Sequence, residues 1–135
     1  MVVLGVGIDL VAVGPFAEQL GSAGSAFAEL TFTPGELRSV AGPGGAAQHL
    51  AGRFAAKEAF VKAFSGARAG HAPAVADLDW REVEVIADAW GRPALMLHGA
   101  LARAVTATLG PVNPHVSITH EPAMAVAVVV LERAA

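Results

Sequence analysis

The run from Arg53 to Lys62, RFAAKEAFVK, combines both signs of charge within an otherwise apolar segment. It holds three cations and one carboxylate, although only 16% of the whole chain is charged. If the run is helical, Arg53 neighbours Lys57 and Glu58 neighbours Lys62, because residues four apart share a helix face. A carboxylate beside an ammonium on an otherwise apolar helix suits a site for a metal ion and a phosphate. The alternative is a helix with two surface ion pairs.

Asp9 is the candidate for a second carboxylate. The β-branched run from Val2 to Ile8 predicts a buried strand, and Leu10 to Leu20 predicts a short helix with Pro15 near its start. Asp9 would therefore end the strand, where ligands and loops meet in mixed sheets, or it would cap the helix. Both roles are compatible. Two carboxylates with a phosphate make a typical magnesium arrangement, but the sequence leaves open whether Asp9 and Glu58 meet.

His120 and Arg92 are weaker candidates. His120 ends a predicted strand, where an imidazole could contact phosphate, transfer a proton or hydrogen-bond a turn. Arg92 lies in the sequence Gly91-Arg92-Pro93, which most simply predicts a hairpin turn. An arginine there could also reach a phosphate or stack on a base. The other histidines have no companions at zinc-ligand spacing, and we assign no role to His49, His71, His98 or His115.

One long helix is expected to carry the charged run. Only Gly52 interrupts the alanine-rich segment from Ala46 to about Phe64, so this should be the longest helix. Before it, Thr33 to Glu36 has the form of a capping box, with Thr33 as the N-cap residue. The helix that begins there should be stopped by the sequence Gly42-Pro43-Gly44-Gly45.

The remaining elements are two predicted hairpins and a helix between them. The first hairpin joins Trp80 to Ala87 with Ala94 to Leu97, and the second joins His115 to His120 with Ala123 to Glu132. Gly99 to Leu109 predicts the helix. This order favours an α+β fold, with a small, largely antiparallel sheet packed with one long helix and shorter helices.

Composition limits the classes of function. The chain has 135 residues, which predicts a single domain over 1–135, and its net charge of −3 argues against a nucleic-acid binder. The absence of cysteine excludes thiolate catalysis, disulfides and cysteine-ligated zinc. The apolar start lacks a basic leader, and the apolar run from Ala123 to Leu131 is too short to span a bilayer. We therefore expect a cytoplasmic protein without a membrane partner. The pair Gly5-x-Gly7 lacks the third glycine of a dinucleotide fingerprint.

Together these segments resemble the holo-[acyl-carrier-protein] synthase type of 4′-phosphopantetheinyl transferase. The resemblance covers nearly the whole chain in the family's order. Its most specific part is the combination of Gly-x-Asp at 7–9 with the pattern Phe-x-x-Lys-Glu-Ala-x-x-x-Lys. The matching segments are Val6 to Asp9, Phe32 to Glu36, Arg53 to Lys62, Gly91 to Pro93 and His115 to Glu121.

The resemblance implies a magnesium-dependent reaction. Such enzymes move the 4′-phosphopantetheine arm of coenzyme A onto a serine of an apo acyl carrier protein and release adenosine 3′,5′-bisphosphate. They support fatty-acid or polyketide biosynthesis and usually form homotrimers with sites at subunit boundaries. The implied proton acceptor for the serine hydroxyl is either a metal-bound water or Glu58 acting through a water.

The resemblance also implies roles for individual residues. Asp9 and Glu58 would bind the metal, and Lys62 would hold phosphate. Glu58, Lys62 and His120 would form the catalytic set. In the coenzyme-binding set, Arg92 and Pro93 would lie near the adenine nucleotide and Lys62 would hold phosphate. The nucleotide phosphates would lie near Arg53, Thr119 and His120.

One departure concerns the acceptor. Members of this family commonly dock the acidic carrier with basic residues on the first helix, whereas Leu10 to Leu30 contains none and carries Glu18 and Glu29. Docking would then use Arg38, Arg53, Lys57 or Arg68, apolar contacts, or a carrier of different character. Two other functions stay open: a non-catalytic coenzyme A or nucleotide-binding oligomeric module, and a metal-dependent hydrolase of pyrophosphate bonds.

Overall fold

The computed structural model describes residues 1–40 and 44–135. A short 3-10 turn, Trp80–Glu82, precedes the second strand. Gly42 and Pro43, which we expected to end the helix that begins after Thr33, lie outside the described residues. The five strands are β1 (Val3–Ala12), β2 (Val83–Ala87), β3 (Pro93–Leu97), β4 (Val112–His120) and β5 (Met124–Arg133), and the helices are α1 (Val13–Gly21), α2 (Phe27–Thr31), α3 (Pro34–Arg38), α4 (Gly45–Ala67) and α5 (Gly99–Leu109).

The fold is α+β, as the sequence predicts. β5 pairs antiparallel with both β1 and β4 to give the order β1-β5-β4, and β2 with β3 forms a separate antiparallel hairpin. α4, the longest described helix, lies across one face of the three-stranded sheet and buries Ala59, Phe60 and Ala63 against Val129 and Leu131. The two hairpins and α5 are confirmed, and α4 extends a few residues beyond its predicted C-terminal end. The first hairpin strand begins at Val83 and not at Trp80 as predicted, because the Asp79 side chain accepts from the Arg81 N–H and caps the 3-10 turn.

Two glycines let β1 lie directly on α4. A side chain at Gly7 would collide with the carbonyl oxygen of Ala59, and one at Gly5 would collide with that of Ala63. The glycine pair therefore serves close packing of strand on helix. Because alternate residues of a strand face the same side, Asp9 faces α4 like Gly5 and Gly7.

The structure corrects the expected position of Asp9. β1 continues to Ala12 because it pairs with β5 along its length, with Asp9 opposite Ala127. Asp9 therefore lies inside the strand. It does not cap α1, which begins at Val13 after Ala12 and has no side-chain cap.

Lys57 is buried on the face of α4 that meets the hairpin. Its ammonium donates to Glu36 Oε1 at 2.8 Å, to the Trp80 carbonyl at 3.0 Å and to the Val83 carbonyl at 2.6 Å. All three of its hydrogen-bond donors are used. Both side chains of the ion pair are fully buried, so Lys57 does not fit the alternative of surface ion pairs on this helix.

Glu36 connects the same ion pair to α3 and β2. The predicted capping box is confirmed, because Glu36 accepts from the Thr33 backbone N–H at 2.9 Å and Thr33 Oγ1 accepts from the Glu36 N–H. The second carboxylate oxygen of Glu36 accepts from the Val85 N–H at 2.9 Å. One buried carboxylate thus holds α3, α4 and the β2-β3 hairpin together.

We expect Lys57→Met to lower the free energy of unfolding by about 3–5 kcal/mol, because it leaves the Glu36 carboxylate buried without its cation. Chemical denaturation measures this change. Lys62→Met is the matched control: it breaks an ion pair whose lysine side chain is 54% exposed and should cost less than about 1 kcal/mol. Equal losses in the two variants would contradict a special role for the buried pair.

Candidate active site

An open cleft of about 360 Å³ lies between β1, α1 and α4. The inner residues of β1 form its floor, and α1 forms one wall. The side chains that carry its chemistry are the carboxylates of Asp9 and Glu58, one from the strand and one from the long helix. The other lining residues used below are Pro15, Phe16 and Gln19 of α1 and Phe54 of α4.

Lys62 completes the charged cluster. Its ammonium lies 3.0 Å from Asp9 Oδ1 and 3.0 Å from the Ile8 carbonyl oxygen. The expected pair between Glu58 and Lys62 is therefore replaced by a pair between Lys62 and Asp9. Asp9 is 14% exposed and Lys62 is 54% exposed, so the ammonium remains open to an anion that enters the cleft.

Glu58 is the carboxylate whose protonation the site perturbs. Burial raises the pKa of Glu58 above its usual value, the nearby Asp9 carboxylate raises it further, and Lys62 opposes them. Within the described residues, no side chain or backbone N–H donates a hydrogen bond to the Glu58 carboxylate. Two carboxylates close enough to repel each other, on the wall of an open cleft, favour a bound cation.

The donor set fits a magnesium ion. Over residues 1–40 and 44–135, no group of three or more acidic or histidine side chains converges as a candidate metal site. A cation here would take Asp9 and Glu58 and fill its remaining positions with water and substrate oxygens. Mg²⁺ binds in this way, because it keeps several waters and uses few protein carboxylates.

The structure places His120 and Arg53 away from this cluster. His120 Nδ1 lies 2.7 Å from Gln48 Nε2, and Gln48 precedes Glu58 by ten residues, or about 15 Å along an α-helix. Burial lowers the pKa of the Arg53 guanidinium, whereas the negative charge of Glu36 acts to raise it. Its buried Nε has no hydrogen-bond partner among the described residues. Thr119 neighbours His120 on β4 and faces the other side of the sheet.

Arg92 and Pro93 also lie outside the cleft lining. Arg92 Nε lies 2.6 Å from Asp88 Oδ2, and the guanidinium lies 5.1 Å from the ring centroid of Trp90. Pro93 begins β3 and pairs with Ala87. The hairpin tip thus holds an exposed cation and an aromatic ring together, and the sequence analysis did not single out Trp90.

A second cavity of about 250 Å³ lies under the loop that follows α4. It is mainly apolar, with Val61, Phe64 and Leu101 in its wall and Arg68 and His71 in its polar part. Its lining contains no carboxylate, so it does not suit a cation. The candidate metal and phosphate chemistry therefore belongs to the cleft at Asp9.

Sequence reasoning missed several partners because they come from distant segments. His98 Nε2 lies 3.0 Å from Glu84, and His115 Nε2 lies 2.6 Å from Glu132, so neither histidine lacks a companion. Gln48, the partner of His120, carried no signal because a glutamine on a helix is ordinary. Lys57 is fully buried, which excludes it from a docking surface.

Comparisons with known proteins agree with this architecture. The profile of the 4′-phosphopantetheinyl transferase superfamily matches residues 5–125. Holo-[acyl-carrier-protein] synthase of Mycobacterium tuberculosis is 49% identical over 133 residues, which cover 98% of each chain. The enzyme of the same name from Mycolicibacterium smegmatis is 48% identical over the same coverage.

Solved structures give the same result. The ACPS-CoA complex from Chronobacterium ammoniagenes has a TM-score of 0.89 and 41% identity, covering 97% of this chain and 98% of that one. AcpS of Mycobacterium tuberculosis has a TM-score of 0.79 and 44% identity, covering 98% of this chain and all of that one.

The fold and the profile define a 4′-phosphopantetheinyl transferase. Within that class, the chain belongs to the holo-[acyl-carrier-protein] synthase family, and it is an enzyme. In the part of the chain that the structure describes, no helix is long and apolar enough to cross a membrane.

We expect the pKa of Glu58 to respond in opposite directions to its two charged neighbours. Asp9→Asn should lower it, because a like charge is removed, and Lys62→Met should raise it, because a cation is removed. NMR titration of the metal-free protein, labelled at glutamate carboxyl carbons, measures both. A pKa that is unchanged in both variants would contradict the proximity of the three groups.

Proposed function

We propose that this chain transfers the 4′-phosphopantetheine group of coenzyme A to a serine of an apo acyl carrier protein, with Mg²⁺ held by Asp9 and Glu58. The observation that carries the proposal is the pair of carboxylates with Lys62 at one open cleft. The Chronobacterium relative is a complex with coenzyme A, which supports coenzyme A as the donor.

The reaction replaces a phosphoanhydride bond of the coenzyme A pyrophosphate by a phosphate ester of serine. The serine oxygen forms a bond to the phosphorus that carries the pantetheine arm, and the bond from that phosphorus to the bridging oxygen breaks. The electron pair stays on the leaving adenosine 3′,5′-bisphosphate. Lys62 supplies a positive charge next to the phosphate oxygens, where negative charge accumulates.

The serine hydroxyl gives up its proton as the new bond forms. Of the chain's own residues, Glu58 is the acceptor that we propose, acting through a water. A carboxylate that reaches the hydroxyl through one water can act as the general base. The bound cation would supply charge neutralisation at the pyrophosphate.

We further propose that the enzyme is a homotrimer with its sites at subunit boundaries. On the face of the sheet that points away from α4, the part formed by β1 and β5 is apolar, and Val6, Ile8 and Leu10 are each about 60% exposed there. Such a large open apolar face favours an interface between chains. A neighbouring chain could then bring its Arg53, His120 and hairpin tip to the cleft, from which these groups are separated within one chain.

The physiological setting follows from the substrates. Coenzyme A is a cytoplasmic metabolite, so we place the enzyme in the cytoplasm, acting on a carrier of fatty-acid or polyketide biosynthesis. The non-catalytic module and the pyrophosphate hydrolase remain the alternatives, and the assay below separates all three.

We expect the chain, given coenzyme A, Mg²⁺ and an apo acyl carrier protein, to add one 4′-phosphopantetheine group to the carrier, as measured by intact mass. Glu58→Gln should lower turnover by about 100-fold or more, because it removes a metal ligand. Arg103→Gln, at an exposed position on α5, is the control and should keep its activity.

Transfer to no carrier would contradict the proposed function. Coenzyme A cleavage without a carrier would instead favour the hydrolase. Calorimetric binding of coenzyme A that does not depend on Mg²⁺, without transfer, would favour the non-catalytic module.

We expect Ile8→Lys to shift the protein from trimer to monomer in analytical ultracentrifugation and to lower turnover with it, because a charge is placed in the apolar interface. Leu30→Lys is the matched control for oligomeric state, since Leu30 and Ile8 are equally exposed, at 60% and 61%, but Leu30 lies on α2. A wild-type monomer with full activity would contradict the trimer.

A further inference from the structure

His120, at the end of β4, lies against the first two turns of α4. Its ring nitrogen Nδ1 is 2.7 Å from Nε2 of Gln48, so the two side chains are hydrogen-bonded. Each of these groups has two kinds of atom to offer. A carboxamide has a donor end and an acceptor end, and a neutral imidazole has one nitrogen of each kind. The end that Gln48 presents therefore decides where the imidazole carries its proton.

Gly44 fixes the direction of the Gln48 carboxamide. The Gln48 side chain folds back over this glycine, which precedes α4, and its Oε1 lies where a Cβ at position 44 would be. An oxygen in that place accepts a weak hydrogen bond from the glycine Cα–H, whereas an amide NH2 would gain none. The NH2 end therefore points to His120. Because an amide N–H donates, Nδ1 of His120 is the acceptor and carries no proton.

The ring of His120 is held from a second side, where β4 comes close to α4 at Gly52. A Cβ at Gly52 would lie 2.9 Å from the Ile118 side chain, closer than Cβ contacts allow, and 3.7 Å from Cδ2 of His120. Gly52 is one turn beyond Gln48 on the same face of the helix. Packing on Gly52 and the hydrogen bond from Gln48 together hold the ring in one orientation.

The consequence for His120 is a free donor at its other ring nitrogen. A neutral imidazole that accepts at Nδ1 carries its proton at Nε2. Within residues 1–40 and 44–135, no group hydrogen-bonds to this Nε2, and the His120 side chain is exposed. An exposed N–H on a fixed ring suits an anionic oxygen. The proposed reaction brings such an oxygen on the phosphates of its donor.

We propose that Gln48 is a positioning residue, which holds His120 with its Nε2–H as the donor to a phosphate oxygen of coenzyme A. The proposal rests on the transfer reaction and the subunit-boundary site proposed above, in which His120 reaches the cleft of a neighbouring chain. Gln48 itself touches no substrate. Since it acts through His120, its loss should weaken binding of the coenzyme and leave the chemical step at Asp9 and Glu58 unchanged.

Nitrogen-15 NMR of the histidine ring measures the direction of the hydrogen bond in the enzyme without substrate. At a mildly alkaline pH, we expect Nδ1 of His120 in the wild-type protein to show the chemical shift of an unprotonated nitrogen. Gln48→Glu has the same shape but offers only an acceptor, so Nδ1 should then be protonated. A protonated Nδ1 in the wild type, or the same His120 spectrum in both proteins, would overturn the proposal.

Kinetics with coenzyme A, Mg²⁺ and an apo acyl carrier protein test the role in binding. Gln48→Met keeps the length of the side chain and removes its donor. It should raise the KM for coenzyme A roughly fivefold, with kcat within about twofold of wild type. His120→Ala should raise the same KM roughly tenfold or more, because a hydrogen bond to an anion is lost. In the His120→Ala background, Gln48→Met should add less than about twofold, because its effect passes through His120.

Gly44→Ala tests the proposal from outside the hydrogen-bonded pair. The backbone of Gly44, at φ −80° and ψ −3°, accepts alanine, and the atoms nearest to the added methyl group all belong to Gln48. This variant should therefore reproduce the raised KM of Gln48→Met. Gly21→Ala, at a glycine with open space around it, is the matched control and should change the KM for coenzyme A by less than about twofold.

Two kinetic outcomes would overturn the positioning role. One is an equal effect of Gln48→Met with and without His120, because Gln48 would then act by another route. The other is an unchanged KM for coenzyme A in both Gln48→Met and Gly44→Ala. A wild-type enzyme that transfers to no carrier would instead contradict the proposed function, and the NMR spectra would still decide the direction of the hydrogen bond.

Discussion

The buried ion pair between Lys57 and Glu36 fixes how α4 is rotated, and the geometry of the cleft depends on that rotation. The Lys57 ammonium donates its three hydrogen bonds to Glu36, Trp80 and Val83. It therefore holds one face of α4 against the hairpin and α3. The next residue, Glu58, is turned by about 100° around the helix, which directs it to the cleft. A buried ion pair contributes little net stability compared with an apolar pair, but it tolerates only one arrangement of its hydrogen bonds.

The second constraint is the close approach of β1 to the same helix. Gly5 and Gly7 bring the strand backbone against the carbonyl groups of Ala59 and Ala63, so Asp9, two residues further on, lies beside Glu58 and Lys62. The two glycines of β1 thus have a functional consequence besides packing. They let a strand carboxylate and a helix carboxylate share one cleft. Burial, and after it the repulsion between the two carboxylates, raises the pKa of Glu58, and this repulsion favours a cation.

Sequence patterns predicted most of the fold because its elements have strong local signals. The capping box at Thr33, the alanine-rich α4 and the two hairpins are local features, and each is confirmed. Local sequence predicts that β1 ends at Ile8, before the polar Asp9. Pairing with β5 extends the strand to Ala12. The burial of Lys57 could not be predicted, since its partners come from residues 36, 80 and 83. The same holds for the pairing of Lys62 with Asp9, which depends on tertiary packing.

The most direct test of this account is the position of the metal. We would determine the crystal structure with coenzyme A and Mn²⁺ and locate the ion by its anomalous scattering. The account predicts one ion per chain, ligated by both Asp9 and Glu58 and by pyrophosphate oxygens, with Lys62 on a phosphate. An ion that contacts neither carboxylate, at a Mn²⁺ concentration that supports transfer, would contradict it.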